Sequence, residues 1–448
     1  MNRNRFLKTS SALFAGGLFP RFMSATGTLA PPRTNWSGNY VYKAPNLHEP
    51  GSIEELQTMV RELGIQKALG SRHCFNDIAD SPLNQISMAG LNRVVEVNKS
   101  EKTVTVEGGI RYGDLAPRLV EEGLALHNLA SLPHISVAGA CATATHGSGR
   151  KNGNLATAVA ALEIIRPDGE RVQLRRGDAD FNGAVVNLGA LGMVSQLTLD
   201  VEDNYLVRQD LFQDLPQQAL LDNFDRVMSG GYSVSLFTDY LDDRVSQVWV
   251  KRKATADTKS MGQDLFGALA ATRTLHPLTH MPAENVTDQL GVPGPWHMRL
   301  PHFKMGFTPS SGDELQSEFF VPVENGPEAY LAVASLAEEL KPHLMISEIR
   351  AIAADDLWLS TAYGGDKIAF HFTWHPHEAE VMQLLPKIER VLAPYGVRPH
   401  WGKLFTLSAE DLHGRTERID DFLELAGRLD PERKLHNDYL DRVLFGKA

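Results

Sequence analysis

The chain is poor in the features that would make it a disulfide scaffold, a nucleic-acid binder or a membrane protein. Its 448 residues contain only two cysteines, Cys74 and Cys141, too few for a disulfide framework or a zinc site. Positive charge is not in excess: the net charge is -11, which argues against a nucleic-acid partner, because phosphate neutralisation needs a basic surface. No apolar run reaches bilayer-spanning length. There is no internal repeat, no G-x-x-x-x-G-K-[ST] and no strand–G-x-G-x-x-G–helix unit, so neither a P-loop nor a Rossmann fingerprint is present. What remains is the composition of an ordinary globular protein, 43% hydrophobic and 22% charged, long enough for about two domains. Its charge favours a small neutral substrate.

Two stretches carry the functional information. The first is Ala68-Leu69-Gly70-Ser71-Arg72-His73-Cys74-Phe75-Asn76, where a short segment from Ile65 to Leu69 stops at glycine. A strand ending this way turns successive backbone N–H groups outward, as in a phosphate cradle. The second runs from Ala130-Ser131-Leu132-Pro133-His134 to Gly149. From Ser136 through Gly139, Thr143, Ala144 and Thr145 to His146 it is built almost wholly of small residues, so its backbone can approach a large ligand closely. Taken alone, such a loop is also compatible with a simple turn, and such a run with helix packing.

The remaining pattern predicts alternating helices and strands. Apolar residues at helical spacing cover Ile53 to Leu63, with Ser52 and Glu55 as a capping box. A strand is expected at Tyr40-Val41-Tyr42. Hairpins are expected over Val94–Val97 with Thr103–Val106, and over Ala158–Ile165 with Arg171–Leu174. A helix follows over Asp114 to Glu122. Beyond about residue 201 longer linkers appear, and Ala254 to Asn285, with few strand signals, has the character of an insertion. Leu315 to Val323 predicts a strand, Gly326 to Leu340 a helix, and Met345 to Ile352 a strand on which Glu348 and Arg350 share a face. In Phe370-His371-Phe372-Thr373-Trp374-His375 the aromatics alternate with His371, Thr373 and His375. Lys403 is a further charged candidate. His371, His375 and His377 form the one histidine group that suggests a metal, but no paired carboxylate stands nearby and Pro376 interrupts it, so no metal site is assigned.

Together the two loops resemble the flavin domain of the vanillyl-alcohol oxidase (PCMH-type FAD-binding) superfamily, and within it the alditol (xylitol) oxidases and their aldonolactone oxidase relatives. The likeness extends from about Asn35 to the C-terminus. It includes Asn187 to Ser195, around Val194, the loops Leu290–His297 and Leu300–Phe303, and the final Leu435 to Leu440. The resemblance implies an α+β fold: a PCMH-type FAD-binding domain over 35–203, an α/β substrate (cap) domain with a mixed or antiparallel sheet over 204–425, and a return to the first domain over 426–448.

It further implies FAD as cofactor, held by Ala68 to Cys74, Ser131, Ser136, Gly139, Thr143 to His146 and Val194, with His73 as the covalent attachment point. Glu348, Arg350, His371 and Lys403 become the catalytic candidates, and Ser131, Glu348, Arg350, Thr373 and Lys403 the substrate contacts. The implied activity is oxidation of the terminal carbinol of an alditol, with O2 reduced to hydrogen peroxide. The alternatives are an aldonolactone (gulono-, galactono- or arabinono-1,4-lactone) oxidase or dehydrogenase, and a non-catalytic sugar-binding protein. A monomer is expected. Residues 1–30, with Arg3-Asn4-Arg5-Phe6-Leu7-Lys8 resembling a twin-arginine signal that has lost its second arginine, predict export to the periplasm or beyond. The alternative is a cytoplasmic enzyme with an unstructured start.

Overall fold

The computed structural model describes residues 32–307 and 313–446, and residues from Arg33 onward form a single compact unit. The predicted targeting segment lies outside the described residues. Strands before residue 204 build small sheets, and those after it join one large sheet.

The first part opens with a three-stranded parallel sheet in the order Asn46–His48, Asn84–Ser87, Gln66–Leu69. Helix Ile53–Glu62 packs beside it through Ile53, Leu56 and Val60. Ser52 caps that helix by accepting from the Glu55 N–H. The reciprocal bond differs from the expected box: the Glu55 carboxylate accepts from Gly51 N rather than from Ser52. A five-stranded antiparallel sheet follows, ordered Val94–Asn98, Thr103–Glu107, Met193–Asp200, Val159–Ile165, Arg171–Arg175. Both predicted hairpins lie within it. The expected strand at residues 40–42 is only an isolated bridge from Val41 to Thr34. Leu412, Ile419, Phe422, Leu425, Tyr439 and Leu444 bury their side chains in the core that covers this sheet.

The second sheet has ten strands, with its central order Leu206–Pro216, Arg244–Ala254, Ser233–Thr238, Leu344–Ile352, Lys367–Trp374, Leu315–Pro322. Short strands Asp264–Leu265 and Ala268–Ala270 extend one edge, so part of the expected insertion is woven into the sheet. The predicted helix over 326–340 is two, Gly326–Ala334 and Ala337–Leu340, broken at Ser335 and Leu336.

Strand alternation gives the sheet two unlike faces. Val234, Leu236, Val248, Val250, Phe319, Ile349, Phe370, Phe372 and Trp374 face helices Gly326–Ala334 and Glu378–Leu392, forming one apolar core. Residues one step out of phase, among them Glu318, Glu348, Arg350, His371 and Thr373, face the small sheets, and the cleft between holds the site. Among the described residues no helix is long and apolar enough to cross a membrane.

Candidate active site

The cleft has about 1800 Å³ not filled by protein atoms, counting its open mouth. One wall is the His73 loop with the small-residue segment; the other is the polar face of the large sheet.

The loop wall is made by backbone. Arg72 has φ +63°, which turns the chain sharply before His73. A Cβ added at Gly70 or at Gly139 would lie 2.8 Å from Ser136 Oγ, and Ser136 is itself held in place by its N–H, which donates to Ser71 Oγ at 2.9 Å. Two groups brace the loop from outside. Phe75 N donates to Gly402 O at 2.8 Å, and Asn76 Nδ2 donates to Trp401 O and Lys403 O. Asn437 Nδ2 donates to the carbonyls of Asp77, Ile78 and Asp80. The loop is thereby tied to the segment that carries Lys403 and to the C-terminal stretch.

His73 stacks on Trp36 with ring centroids 5.6 Å apart. Both its ring nitrogens are buried with no hydrogen-bond partner. Burial, reinforced by His134 and Lys403, lowers it to about 3, so the imidazole is neutral. A neutral, unpartnered imidazole is costly to bury unless something else satisfies it.

The sheet wall is built by register. Phe237, Glu348, His371 and Glu318 lie in one cross-strand row, with Arg350 in the next row. Arg350 Nη2 donates to Glu318 Oε1 at 2.6 Å, its Nε is 3.6 Å from Glu348 Oε1, and Nη1 donates to Ser131 Oγ at 3.4 Å. Burial works against both carboxylates, but Arg350, helped by His146 at Glu318 and by His302 at Glu348, outweighs it and holds both well below the usual range. Glu348 Oε1 also accepts from His302 Nε2 at 2.8 Å. Burial lowers His302 to about 4, so this contact is a hydrogen bond from a neutral ring rather than an ion pair.

A second network centres on Gln316. Its Nε2 donates to Glu314 Oε1 at 2.5 Å, which leaves Oε1 to accept from Lys403 Nζ and from His371 Nε2 at 3.1 Å. His371 is lowered to about 3 by burial. With Nε2 carrying the hydrogen, its Nδ1 keeps the lone pair. Lys403 is lowered by burial and by Arg350, and its ammonium sits 4.7 Å from the Phe75 ring centre.

Of the residues expected from the sequence, Ala68, Gly70 to Cys74, Ser131, Ser136, Gly139, Thr143, Thr145, His146, Val194, Glu348, Arg350, His371, Thr373 and Lys403 line the cleft. Leu69 and Ala144 do not. Leu69 is buried at the end of its strand, and Ala144, at φ +53°, is fully buried in the core beneath the small-residue segment. The three histidines weighed as a metal group separate: the strand ends at Trp374, so His371 enters the cleft while His375 and His377 stack on one another beyond it. Sequence reasoning missed Glu318, Gln316, His302 and Lys251. A signal existed for Glu318 and Lys251, each a charge inside a strand whose neighbours are buried.

The unpartnered His73 nitrogens, the glycine positions crowded against Ser136, and a cleft of this size fit a large dinucleotide cofactor. The fold and the site define a flavoprotein of the PCMH type. A model described as FAD binding domain matches residues 45–175, and the crystal structure of cholesterol oxidase from B. sterolicum shares the fold, with TM-score 0.74 and 14% identity over 92% of this chain and 96% of that one. A second model, described as D-arabinono-1,4-lactone oxidase, matches residues 311–443. An alditol oxidase of Streptomyces sp. is 44% identical over 92% of this chain and 99% of its own length. An L-gulono-1,4-lactone dehydrogenase of Mycobacterium tuberculosis is 31% identical over 93% and 100%. The chain belongs to the PCMH-type FAD-dependent family that contains the alditol and aldonolactone oxidases.

Proposed function

We propose that the protein oxidises the terminal carbinol of a linear alditol such as xylitol or sorbitol to an aldehyde, with O2 reduced to hydrogen peroxide. The observation that carries this reading is the row of Glu348, His371 and Glu318 with Arg350 beside it, facing the His73 loop across the cleft. FAD, when bound, supplies the hydride acceptor, and His73 is the residue proposed to hold it covalently. Residues 35–203 and the C-terminal return would form the flavin side, and the large sheet the substrate side.

In this scheme Glu348 accepts hydrogen bonds from substrate hydroxyls, while Ser131, Thr373 and the Arg350 guanidinium donate to their oxygens. Arg350 and Lys403 are fixed cations in a largely buried site, where they would favour the negative charge on the substrate oxygen as its proton leaves and on the acceptor that gains the hydride. His371 Nδ1, neutral and with its lone pair free, is the proposed acceptor of the hydroxyl proton. The carboxylates disfavour aldonates. A cyclic lactone would leave some buried polar groups unpaired, at about 1–3 kcal/mol each.

Oxygen-electrode assays of xylitol, sorbitol, L-gulono-1,4-lactone and L-galactono-1,4-lactone side by side test the reading. The alditols are expected to show the higher kcat/KM, and Glu348→Gln to narrow the margin. A lactone that outperforms both alditols reverses the assignment to an aldonolactone oxidase, the reading favoured by the family match over 311–443. Calorimetric binding with neither oxygen uptake nor reduction of an artificial electron acceptor would leave a sugar-binding protein.

A further inference from the structure

Lys251 is a buried amine that the scheme above does not use. It lies on strand Arg244–Ala254, out of phase with Val248 and Val250, so its side chain runs on the polar face of the large sheet. It is 1% exposed. Its partners are two carbonyls and an imidazole rather than a carboxylate: Nζ donates to Leu300 O at 2.5 Å and Pro301 O at 3.4 Å, and lies 3.0 Å from His302 Nδ1.

Burial lowers the Lys251 amine to about 7, but Glu348, held ionised beside Arg350, offers His302 Nε2 only acceptor oxygens, so Nε2 must donate and Nδ1 must accept from Lys251 Nζ. The ring is neutral, and its one hydrogen therefore sits on Nε2, which points at Glu348 Oε1. The ring is also clamped. Trp249 meets it edge-on at 5.0 Å between centroids and Phe237 at 5.6 Å, while Thr287 N donates to its carbonyl and its own N donates to Ser131 O. Turning the ring over would displace two buried aromatics. Lys251, His302 and Glu348 thus form a chain in which the two outer members together set the hydrogen position of the middle one, and His302 holds one oxygen of Glu348.

We infer that Lys251 is a positioning residue for substrate recognition: by fixing the Nε2–H tautomer of His302, it anchors Glu348 Oε1 and leaves Oε2 to accept from the polyol. This inference rests on the alditol reading for its substrate, but not for the chain of hydrogen bonds itself. Without Lys251, His302 is free to place its hydrogen on Nδ1, and an unprotonated Nε2 would then face a carboxylate. Glu348 would have to turn away or take up a proton, and either change weakens its role as an acceptor. Because Glu348 touches substrate hydroxyls before and during the reaction alike, the loss should fall on KM more than on kcat.

The test combines a measurement on the wild-type holoenzyme with a variant. Ring-15N-histidine NMR, with the His302 resonances assigned by their absence from His302→Gln, is expected to show Nε2 protonated and Nδ1 as acceptor. The Nδ1–H tautomer in the wild type overturns the inference, and this reading requires no variant of Lys251 to fold. Lys251→Met is expected to raise KM for the preferred alditol by about tenfold or more while kcat changes by less than about threefold, and to change the His302 tautomer. In a Glu348→Gln background the same substitution should leave KM nearly unchanged. An unaltered KM in Lys251→Met, or an equal penalty in both backgrounds, refutes the positioning role. If neither alditol nor lactone is oxidised, the substrate reading fails by itself and the tautomer in wild type and Lys251→Met still decides the chain.

Discussion

The two walls of the cleft are built on opposite principles. The loop wall, from Gly70 to His73 and from Ser136 to His146, is contiguous in sequence, low in charge and shaped by close backbone approach. The sheet wall takes single residues from separate strands and holds carboxylates and cations at hydrogen-bond distance. The first should fail by steric intrusion and the second by loss of compensation between charges. A cofactor that stays in place suits a pre-shaped backbone cradle, whereas a substrate that comes and goes is better met by side chains whose polarity can be satisfied by one another between visits.

Four experiments sharpen or break this contrast. The largest effect is expected at Arg350→Met, which leaves Glu318 and Glu348 buried without their shared cation. Urea unfolding should show a loss of about 3–5 kcal/mol, and flavin reduction by polyol should fall steeply in stopped flow. A stability loss below about 1 kcal/mol would show that the wall's charges do not depend on one another.

On the other wall the probe is steric. A Cβ at Gly108 would lie 2.2 Å from Val194 O, a backbone atom that cannot swing aside. Gly108→Ala is expected to cost about 1–3 kcal/mol and to lower flavin content, whereas Gly70→Ala meets only the Ser136 hydroxyl and should cost less stability. Equal losses in the two variants would contradict the backbone account of the cradle.

The third experiment uses pH. His302 and His371 are held neutral in the fold, lowered to about 4 and about 3 by burial, while in the unfolded chain a histidine titrates near 6.5. Between those values the unfolded state binds more protons, so stability must fall as pH drops from about 6.5 toward about 4, by at most about 1.4 kcal/mol per pH unit for each histidine. The depressed carboxylates Glu318 and Glu348 add a further loss below the ordinary glutamate range. Thermal melts of wild type and His371→Gln over this range should differ in slope, the variant being flatter; parallel curves would mean that His371 titrates normally in the fold.

The smallest stability effect is expected at His73→Ala, under about 1 kcal/mol, because the ring makes no hydrogen bond in the fold. Its consequence is chemical: FAD should become extractable by acid precipitation, while wild-type FAD stays with the protein. Release of FAD from the wild type by acid would end the proposal of a covalent link.

Much of the loop wall was legible in the residues because its information is local. A strand that stops at Gly70, and a run of small residues after Ser136, betray close backbone approach wherever the chain goes. Leu69 and Ala144, neighbours in sequence of lining residues, bury their side chains in core. The sheet wall was legible only in part. Period-two alternation put Glu348 with Arg350 and His371 with Thr373, and both pairs do face the cleft.

Alternation says which residues share a face, but not which partner stands opposite. That Arg350 bonds Glu318 rather than Glu348 alone, that Gln316 joins Lys403 to His371, and that His302 joins Glu348 to Lys251 are consequences of strand order and register. The sequence by itself determined the family, the position of the His73 loop and the kind of side chain available to the pocket, because those are properties of short segments and of resemblance. Only the tertiary structure decided how the charges are paired, since burying a carboxylate or an ammonium is tolerable only beside a specific partner, and these partners lie tens of residues away along the chain.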